Sequence, residues 1–175
     1  FDRGCFWLGN RTLPDDAYRY ARDETIDHVS GQQSRLGTPL DFMAVSDHAE
    51  MLGVARAMGD PDNPLSKEPV AAGITSLDFA TSQQTFRGLV TQHAESAVTD
   101  MVRIASSAGA LQAGTQAWRM LVDAADAHYR PGTFTTFVAY EWSSMPNLVN
   151  LHRNVIFRGT RVPERPFSSM DSNRP

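Results

Sequence analysis

The chain has 175 residues, of which 41% are hydrophobic and 21% are charged, with a formal net charge of -4; this composition is ordinary for one globular domain with a substantial core. The negative charge gives no electrostatic support for a nucleic-acid partner or an anionic membrane surface. Cys5 is the only cysteine, which excludes an intramolecular disulfide and a cysteine-based zinc site, and no run of about 18 apolar residues predicts a membrane span.

The first half of the chain predicts a helix, a loop, a strand and a second helix. Pro14, followed by two aspartates, favours a helix start within 12–23. Residues 24–39 are rich in Gly, Ser and Gln and predict a loop. The apolar, β-prone run 40–46 predicts a strand, and residues 49–58 predict a helix that follows it.

The second half predicts a long helical insertion and two further strands. Apolar residues recur at helical spacing over 81–108 and again over 113–129. The β-prone runs 133–142 and 152–158 predict two strands that pair in the manner of a hairpin, and residues 159 onward predict irregular structure. Strands alternating with helices indicate an α/β fold.

Ionisable residues cluster directly after the first predicted strand, at Asp47, His48 and Glu50. In α/β folds this end of a strand is where ligands collect. A neutral imidazole is a common ligand of Zn, Fe or Mn, and a neighbouring carboxylate can orient it or bind a second metal ion. The alternative is structural, with Asp47 as a helix cap and His48 exposed in the first turn.

A second group of ionisable residues lies at the junction of the two later strands. Glu141 follows a run of β-prone residues, and His152 and Arg153 open the next strand. A carboxylate at a strand end is rarely there for packing, and the planar guanidinium of an arginine suits a phosphate or carboxylate. The alternative is a structural ion pair between Glu141 and Arg153 or another arginine.

Longer stretches carry a resemblance to a known family. Residues 39–50 (PLDFMAVSDHAE) resemble the second motif of the PHP (polymerase and histidinol phosphatase) superfamily. Together with 12–20, 134–146 (FTTFVAYEWSSMP) and 150–157 (NLHRNVIF), they look like its bacterial branch DUF3604, a domain of unknown function. The resemblance runs along nearly the whole chain.

The resemblance implies a fold, a cofactor and a class of substrate. The fold is part of a distorted β/α barrel, comprising its first strands and helices, with a helical insertion. Family members hold two or three divalent metal ions, Zn, Mn or Fe, and use a metal-activated water to hydrolyse small-molecule phosphoesters. No nucleic-acid or membrane partner is expected, and we expect a soluble protein of the bacterial cytoplasm or periplasm.

The motifs and the resemblance together assign roles to individual residues. His48 resembles the metal-binding histidine of the second motif, and Glu141 resembles a bridging carboxylate of the third. Asp47 would orient His48, and an arginine such as Arg153 would steady an anionic transition state. The predicted set is catalytic Asp47 and Arg153, metal-binding His48 and Glu141, and supporting Asp2, Glu50 and His152.

One family motif is missing from the chain. PHP proteins begin this region with a His-x-His pair, and no His-x-His occurs here. We therefore expect residues 1–175 to form a single incomplete PHP-like domain, taken from a longer hydrolase and inactive alone. The alternative is a non-catalytic binding or interaction module of the same fold, which predicts a stable protein without metal-dependent activity.

Overall fold

The structure, a computed structural model, describes residues 12–28, 30–91, 102–144, 149 and 151–171. They form a mixed α/β structure, which confirms the predicted α/β class, and these residues form no closed barrel. The chain divides into two compact units, the first containing Arg11–Glu50 and Ala117–Pro175 and the second Met51–Gln116.

Helices and strands both occur in the first unit, and the elements described in the second unit are helical. The first unit contains α1 (Pro14–Ala21), β1 (Ile26–Asp27), β2 (Gln33–Ser34), β3 (Phe42–His48), β4 (Thr135–Ser144), β5 (Leu151–Ile156) and a 3-10 turn (Ser169–Asp171). The second contains α2 (Val54–Met58), a 3-10 turn (Pro64–Lys67), α3 (Ala71–Ile74) and α4 (Phe79–Thr91). Helix α5 (Ala108–His128) begins in the second unit and ends in the first. Among these described helices, none combines the length and the apolar character needed to cross a membrane.

The main sheet of the first unit has the strand order β3-β4-β5. Strands β3 and β4 are parallel, with Phe42 opposite Thr135 at one end and His48 opposite Glu141 at the other. Strand β5 is antiparallel to β4, which confirms the predicted hairpin-like pairing. The carboxyl ends of β3 and β4 and the beginning of β5 therefore lie at the same edge of the sheet.

One face of this sheet packs against α5 because alternate side chains of β4 point in opposite directions. The Tyr140 ring lies edge-on to Trp118 of α5, with 5.9 Å between centroids. The Thr136 hydroxyl donates a hydrogen bond to the carbonyl oxygen of Ala125, at 2.6 Å. The alternate residues of β4, which include Glu141, consequently point away from α5.

The second unit has its own apolar core. Its buried side chains come from α2, α3, the 3-10 turn and the segment 104–113: Val54, Ala55, Ala57, Met58, Leu65, Ala71, Ile74, Ile104, Ala110 and Ala113. Half of these residues are alanines, whose small side chains let neighbouring backbones approach closely.

Gly73 of α3 marks the tightest of these approaches. A Cβ atom at this position would overlap the hydroxyl of Thr85 and lie 2.9 Å from its Cγ2. We expect Gly73→Ala to lower the free energy of unfolding by about 1–3 kcal/mol in urea titrations, because overpacking forces neighbouring atoms to shift. The matched control is Gly109→Ala, whose Cβ would lie 3.5 Å or more from Leu65. Equal stability of the two variants would contradict the predicted overlap.

The structure corrects several predicted boundaries. Within the described residues, the helix predicted over 81–108 is helical at 81–91 and 102–105, and it differs at its end, where the chain turns at 106–107 before α5 begins. The Ser107 hydroxyl accepts a hydrogen bond from the N–H of Ala110 at 3.2 Å, so α5 starts with its own cap. Residues 92–101 lie outside the described part of the chain.

The loop predicted over 24–39 contains the short hairpin of β1 and β2. Asp23 holds the returning chain, since its carboxylate accepts hydrogen bonds from Arg35 and from the N–H of Gly37. The helix predicted over 49–58 begins only at Val54, after Met51 and Gly53 adopt positive φ angles of 57° and 77°. Hydrophobic spacing alone does not reveal these local turns, so it predicted the loop and the helix without them.

Candidate metal centre

The sheet topology brings three potential metal ligands together. Because β3 and β4 are parallel, their last residues meet at one edge, and the register pairs His48 with Glu141. The antiparallel return of β5 places His152 opposite Ser143 at the same edge. Side chains at paired positions share a face, and so do residues two apart in a strand. The side chains of His48, Glu141, Ser143 and His152 therefore all point to the face opposite α5.

Glu141 lies between the two imidazole rings. Its Oε2 is 3.1 Å from Nε2 of His48, and its Oε1 is 3.2 Å from Nδ1 of His152. The Ser143 hydroxyl forms a hydrogen bond with each ring, with Oγ 2.8 Å from Nδ1 of His48 and 2.7 Å from Nδ1 of His152. The two rings stand edge to face, with centroids 5.5 Å apart. The carboxylate and the hydroxyl thus fix the orientation of both histidines.

A second carboxylate, Glu50, supports this cluster from the buried side. It accepts backbone hydrogen bonds from Ser143, at 3.1 Å and 3.2 Å, and from Ser169, at 2.8 Å. Its Oε2 also approaches Nδ1 of His48 to 3.7 Å. Burial raises the pKa of Glu50, but the His48 ring and the backbone N–H groups together lower it below its ordinary value. Glu50 is therefore an anion that ties β3, β4 and the segment near Ser169 together.

The donor set fits a divalent cation of the first transition row. One ligand atom each from His48, Glu141 and His152 lies within 4.8 Å of the others. Two imidazoles with one carboxylate are the protein ligands of several catalytic zinc and iron sites. Glu50 and Glu141 also place two carboxylates beside the two rings, and a dication can balance their negative charge. The side chains of His48 and Glu141 are 22% and 23% exposed, so solutes can reach them.

Comparison with known proteins identifies the family. A family model described as "Protein of unknown function (DUF3604)" matches residues 2–175. The chain belongs to the DUF3604 family. No curated protein and no solved structure matches it.

The structure of this DUF3604 chain separates the predicted site residues into two groups. His48, Glu141 and His152 converge, and Glu50 supports them. Asp47 is an inner residue of β3, 5% exposed, and its side chain leaves the sheet on the face opposite to His48. Asp2 lies outside the described residues.

Arg153 also lies on the other face of the sheet. It pairs in register with Trp142, and its guanidinium carbon lies 5.9 Å from the centre of that ring. The alternative of an ion pair between Glu141 and Arg153 is therefore wrong for the described structure. The catalytic roles predicted for Asp47 and Arg153 stay predictions, since neither residue joins the cluster.

Sequence reasoning gave His152 only a supporting position and missed Ser143. Nothing in the local sequence marks this serine, because its importance comes from facing a histidine on each neighbouring strand. The usable signal was the register of the β4–β5 hairpin. Once Glu141 is paired with a residue of β5, the positions of Ser143 and His152 on the same face follow from strand alternation.

Proposed function

We propose that this DUF3604 chain carries part of the active site of a metal-dependent hydrolase that acts on small-molecule phosphoesters. The observation that supports the proposal best is the convergence of His48, Glu141 and His152 at the carboxyl ends of two parallel strands. Strand ends of this kind are the usual place of ligand binding in α/β folds. The partial exposure of the three side chains is consistent with access for a substrate.

In this proposal the residues hold a divalent ion, Zn, Mn or Fe, which when bound supplies a Lewis acid and lowers the pKa of water. His48, Glu141 and His152 provide the ligand atoms, and Glu50 keeps the end of β4 in place through its backbone hydrogen bonds. Asn154 lies opposite Glu141 in the register of β5. Its exposed side chain leaves the same face, where its amide is suited to binding an oxygen of the substrate.

The phosphoester class and the relationship to the PHP superfamily rest on the resemblance of 39–50 and 134–146 to that superfamily. The resemblance assigns His48 and Glu141 as metal ligands, and in the structure Nε2 of His48 lies 3.1 Å from Oε2 of Glu141. This proximity supports treating the two motifs as parts of one site. A second or third metal ion would need ligands beyond this described cluster.

The proposal is tested by hydrolysis assays with defined metal content. Because the proposal gives this chain only part of the active site, the full-length protein that carries it is loaded with Zn²⁺, Mn²⁺ or Fe²⁺ and offered p-nitrophenyl phosphate, bis-p-nitrophenyl phosphate and p-nitrophenyl acetate. We expect metal-dependent hydrolysis of a phosphate ester that is lost in His48→Ala and retained in His28→Ala. His28 is a matched control because it is exposed and, among the described contacts, its ring bonds to Ser30.

Other outcomes of these assays contradict the proposal in distinguishable ways. Hydrolysis that continues after chelation and in His48→Ala would place the activity elsewhere. Stable metal binding with no hydrolysis of any of the three esters would favour the non-catalytic binding module. Cleavage of the carboxyl ester alone would retain the hydrolase and overturn the phosphoester class.

A further inference from the structure

The Glu50 carboxylate, which supports the candidate metal ligands, is itself held by a segment near the end of the described chain. Its Oε1 accepts a hydrogen bond from the backbone N–H of Ser169 at 2.8 Å. The same carboxylate accepts from the backbone N–H of Ser143, whose hydroxyl forms hydrogen bonds with His48 and His152. The Ser169 N–H is therefore linked to both histidines through Glu50 and Ser143.

Asp171 shapes the turn that presents this N–H group to Glu50. Its Oδ2 accepts hydrogen bonds from the backbone N–H of Ser168 at 2.9 Å and from the Ser168 hydroxyl at 3.0 Å. Arg165 binds both carboxylate oxygens, with its two terminal nitrogens at 3.0 Å and 2.6 Å. The Arg165 guanidinium lowers the pKa of the Asp171 carboxyl, and the Ser168 hydrogen bonds add to this effect. A bidentate arginine fixes the orientation of a carboxylate as well as its position.

The segment 163–171 depends on such side-chain contacts because its regular structure is limited to the 3-10 turn Ser169–Asp171. At its start, the carbonyl oxygen of Pro163 accepts a hydrogen bond from the indole N–H of Trp118 at 2.8 Å. Towards its end, Ser169 is bonded to Glu50. The ion pair between Arg165 and Asp171 closes the chain on itself between these two anchors, so it sets the conformation in which the segment reaches Glu50.

We propose that Asp171, held by Arg165, is a positioning residue of the candidate metal centre. It fixes the turn at Ser168 and Ser169, the turn fixes Glu50, and Glu50 fixes the strand end that carries Ser143. The orientation of the two histidines thus depends on a carboxylate outside the ligand cluster. Groups that orient metal ligands from behind commonly determine the affinity of a site.

The inference rests on the metal centre of the proposed function, and its test measures Zn²⁺ affinity rather than activity. Titrations use the full-length protein that carries this chain, and the Kd compared is that of the Zn²⁺ ion lost in His48→Ala. Asp171→Ala should weaken this binding by about 10-fold, the lower end of the usual loss when an orienting group is removed. Asp171→Asn should restore most of the affinity, because its amide oxygen can still accept both hydrogen bonds from Ser168. Equal losses in the two variants would overturn the role assigned to the turn.

Asp23→Ala is the matched control, because Asp23 is bonded in much the same way as Asp171. Its carboxylate accepts hydrogen bonds from two nitrogens of Arg35 and from the backbone N–H of Gly37. The side chains of Asp23 and Asp171 are 13% and 20% exposed. Asp23 holds the hairpin of β1 and β2 rather than the turn beside Glu50, so Asp23→Ala should bind Zn²⁺ like the wild type.

A double-mutant cycle tests the route through Glu50. Glu50→Ala removes the acceptor of the Ser169 N–H and should weaken Zn²⁺ binding by roughly 10- to 100-fold. If Asp171 acts through Glu50, adding Asp171→Ala to Glu50→Ala should cause almost no further loss. Independent effects multiply, so a further loss of about 10-fold in the double variant would overturn the proposed route. If Glu50→Ala does not fold, the comparison of the Asp171 and Asp23 variants still decides the inference.

The outcomes separate this inference from the proposed hydrolase. Zn²⁺ binding that weakens in Asp171→Ala, in a protein that hydrolyses none of the three esters, would uphold the positioning role and remove the hydrolase. Metal-dependent hydrolysis with equal Zn²⁺ affinity in Asp171→Ala and Asp23→Ala would overturn the inference alone. A protein without a Zn²⁺ ion that depends on His48 would overturn both the inference and the proposed metal centre.

Discussion

Replacing Glu141 with glutamine should nearly abolish the thermal stabilisation of the protein by Zn²⁺ or Mn²⁺. Glu141 is the central member of the cluster, since its two oxygens each face one histidine at 3.1 Å and 3.2 Å. Glutamine has the same shape, and its amide oxygen can accept from one ring while its NH2 group donates to the other, so the metal-free fold should be kept. It lacks the negative charge that offsets the cost of desolvating a dication.

The expected size of the effect follows from binding linkage. At a free metal concentration 100 times Kd, the wild type gains about 2.7 kcal/mol, which raises the Tm of a protein of this size by about 5–11 °C. Loss of a direct ligand should weaken binding by about 100-fold or more, beyond the loss caused by removing an orienting group. At the same metal concentration the stabilisation of Glu141→Gln then falls to at most about 0.4 kcal/mol.

Calorimetric scans of the metal-free and metal-loaded proteins measure the rise in Tm and the free energy of stabilisation by the metal. His28→Ala serves as the control for non-specific histidine coordination, because His28 is an exposed residue outside the cluster, and it should show the full wild-type shift. An equal shift in Glu141→Gln and the wild type would place metal binding away from the sheet edge and remove the basis of the proposed function.

The sequence predicted the sheet well because its strands have strong local signals. The apolar β-prone runs located β3, β4 and β5 within a few residues, and the short separation of β4 and β5 predicted their pairing. Local signals failed where side chains or backbone turns override hydrophobic spacing. The cap formed by Ser107 and the positive φ at Gly53 are examples, because neither interrupts the apolar pattern that predicts a helix.

The candidate site was predicted in part for a related reason. His48 and Glu141 were found because each ends a strand, a feature visible in one segment. Asp47 follows the same local rule, yet it leaves the opposite face of β3, since the strand continues two residues further than predicted and includes it. Because consecutive side chains of a strand leave opposite faces, the inclusion of Asp47 in β3 separates it from His48. Ser143 depends on the register of three strands, which no single segment encodes.

Trp118→Ala should be the most destabilising single substitution among those considered for the first unit. Trp118 is 1% exposed, and its ring packs against Tyr140 and Phe157 at centroid distances of 5.9 Å and 6.1 Å. Its indole N–H donates to the carbonyl oxygen of Pro163 at 2.8 Å. Truncating a buried tryptophan usually costs about 3–5 kcal/mol, because a cavity remains. The expected fall in Tm is about 6–20 °C.

Two further variants show whether this loss comes from the cavity. Trp118→Phe keeps an aromatic ring and removes the hydrogen bond to Pro163, so its cost should be clearly smaller than that of alanine. Arg119→Ala, at the exposed neighbouring position of α5, should change the unfolding free energy by less than about 0.5 kcal/mol. Equal losses in the Phe and Ala variants would assign the effect to the hydrogen bond. Trp118 packs against Tyr140, which directly precedes Glu141 in β4. The core on one face of the sheet therefore stabilises the strand that carries the candidate ligand on the other face.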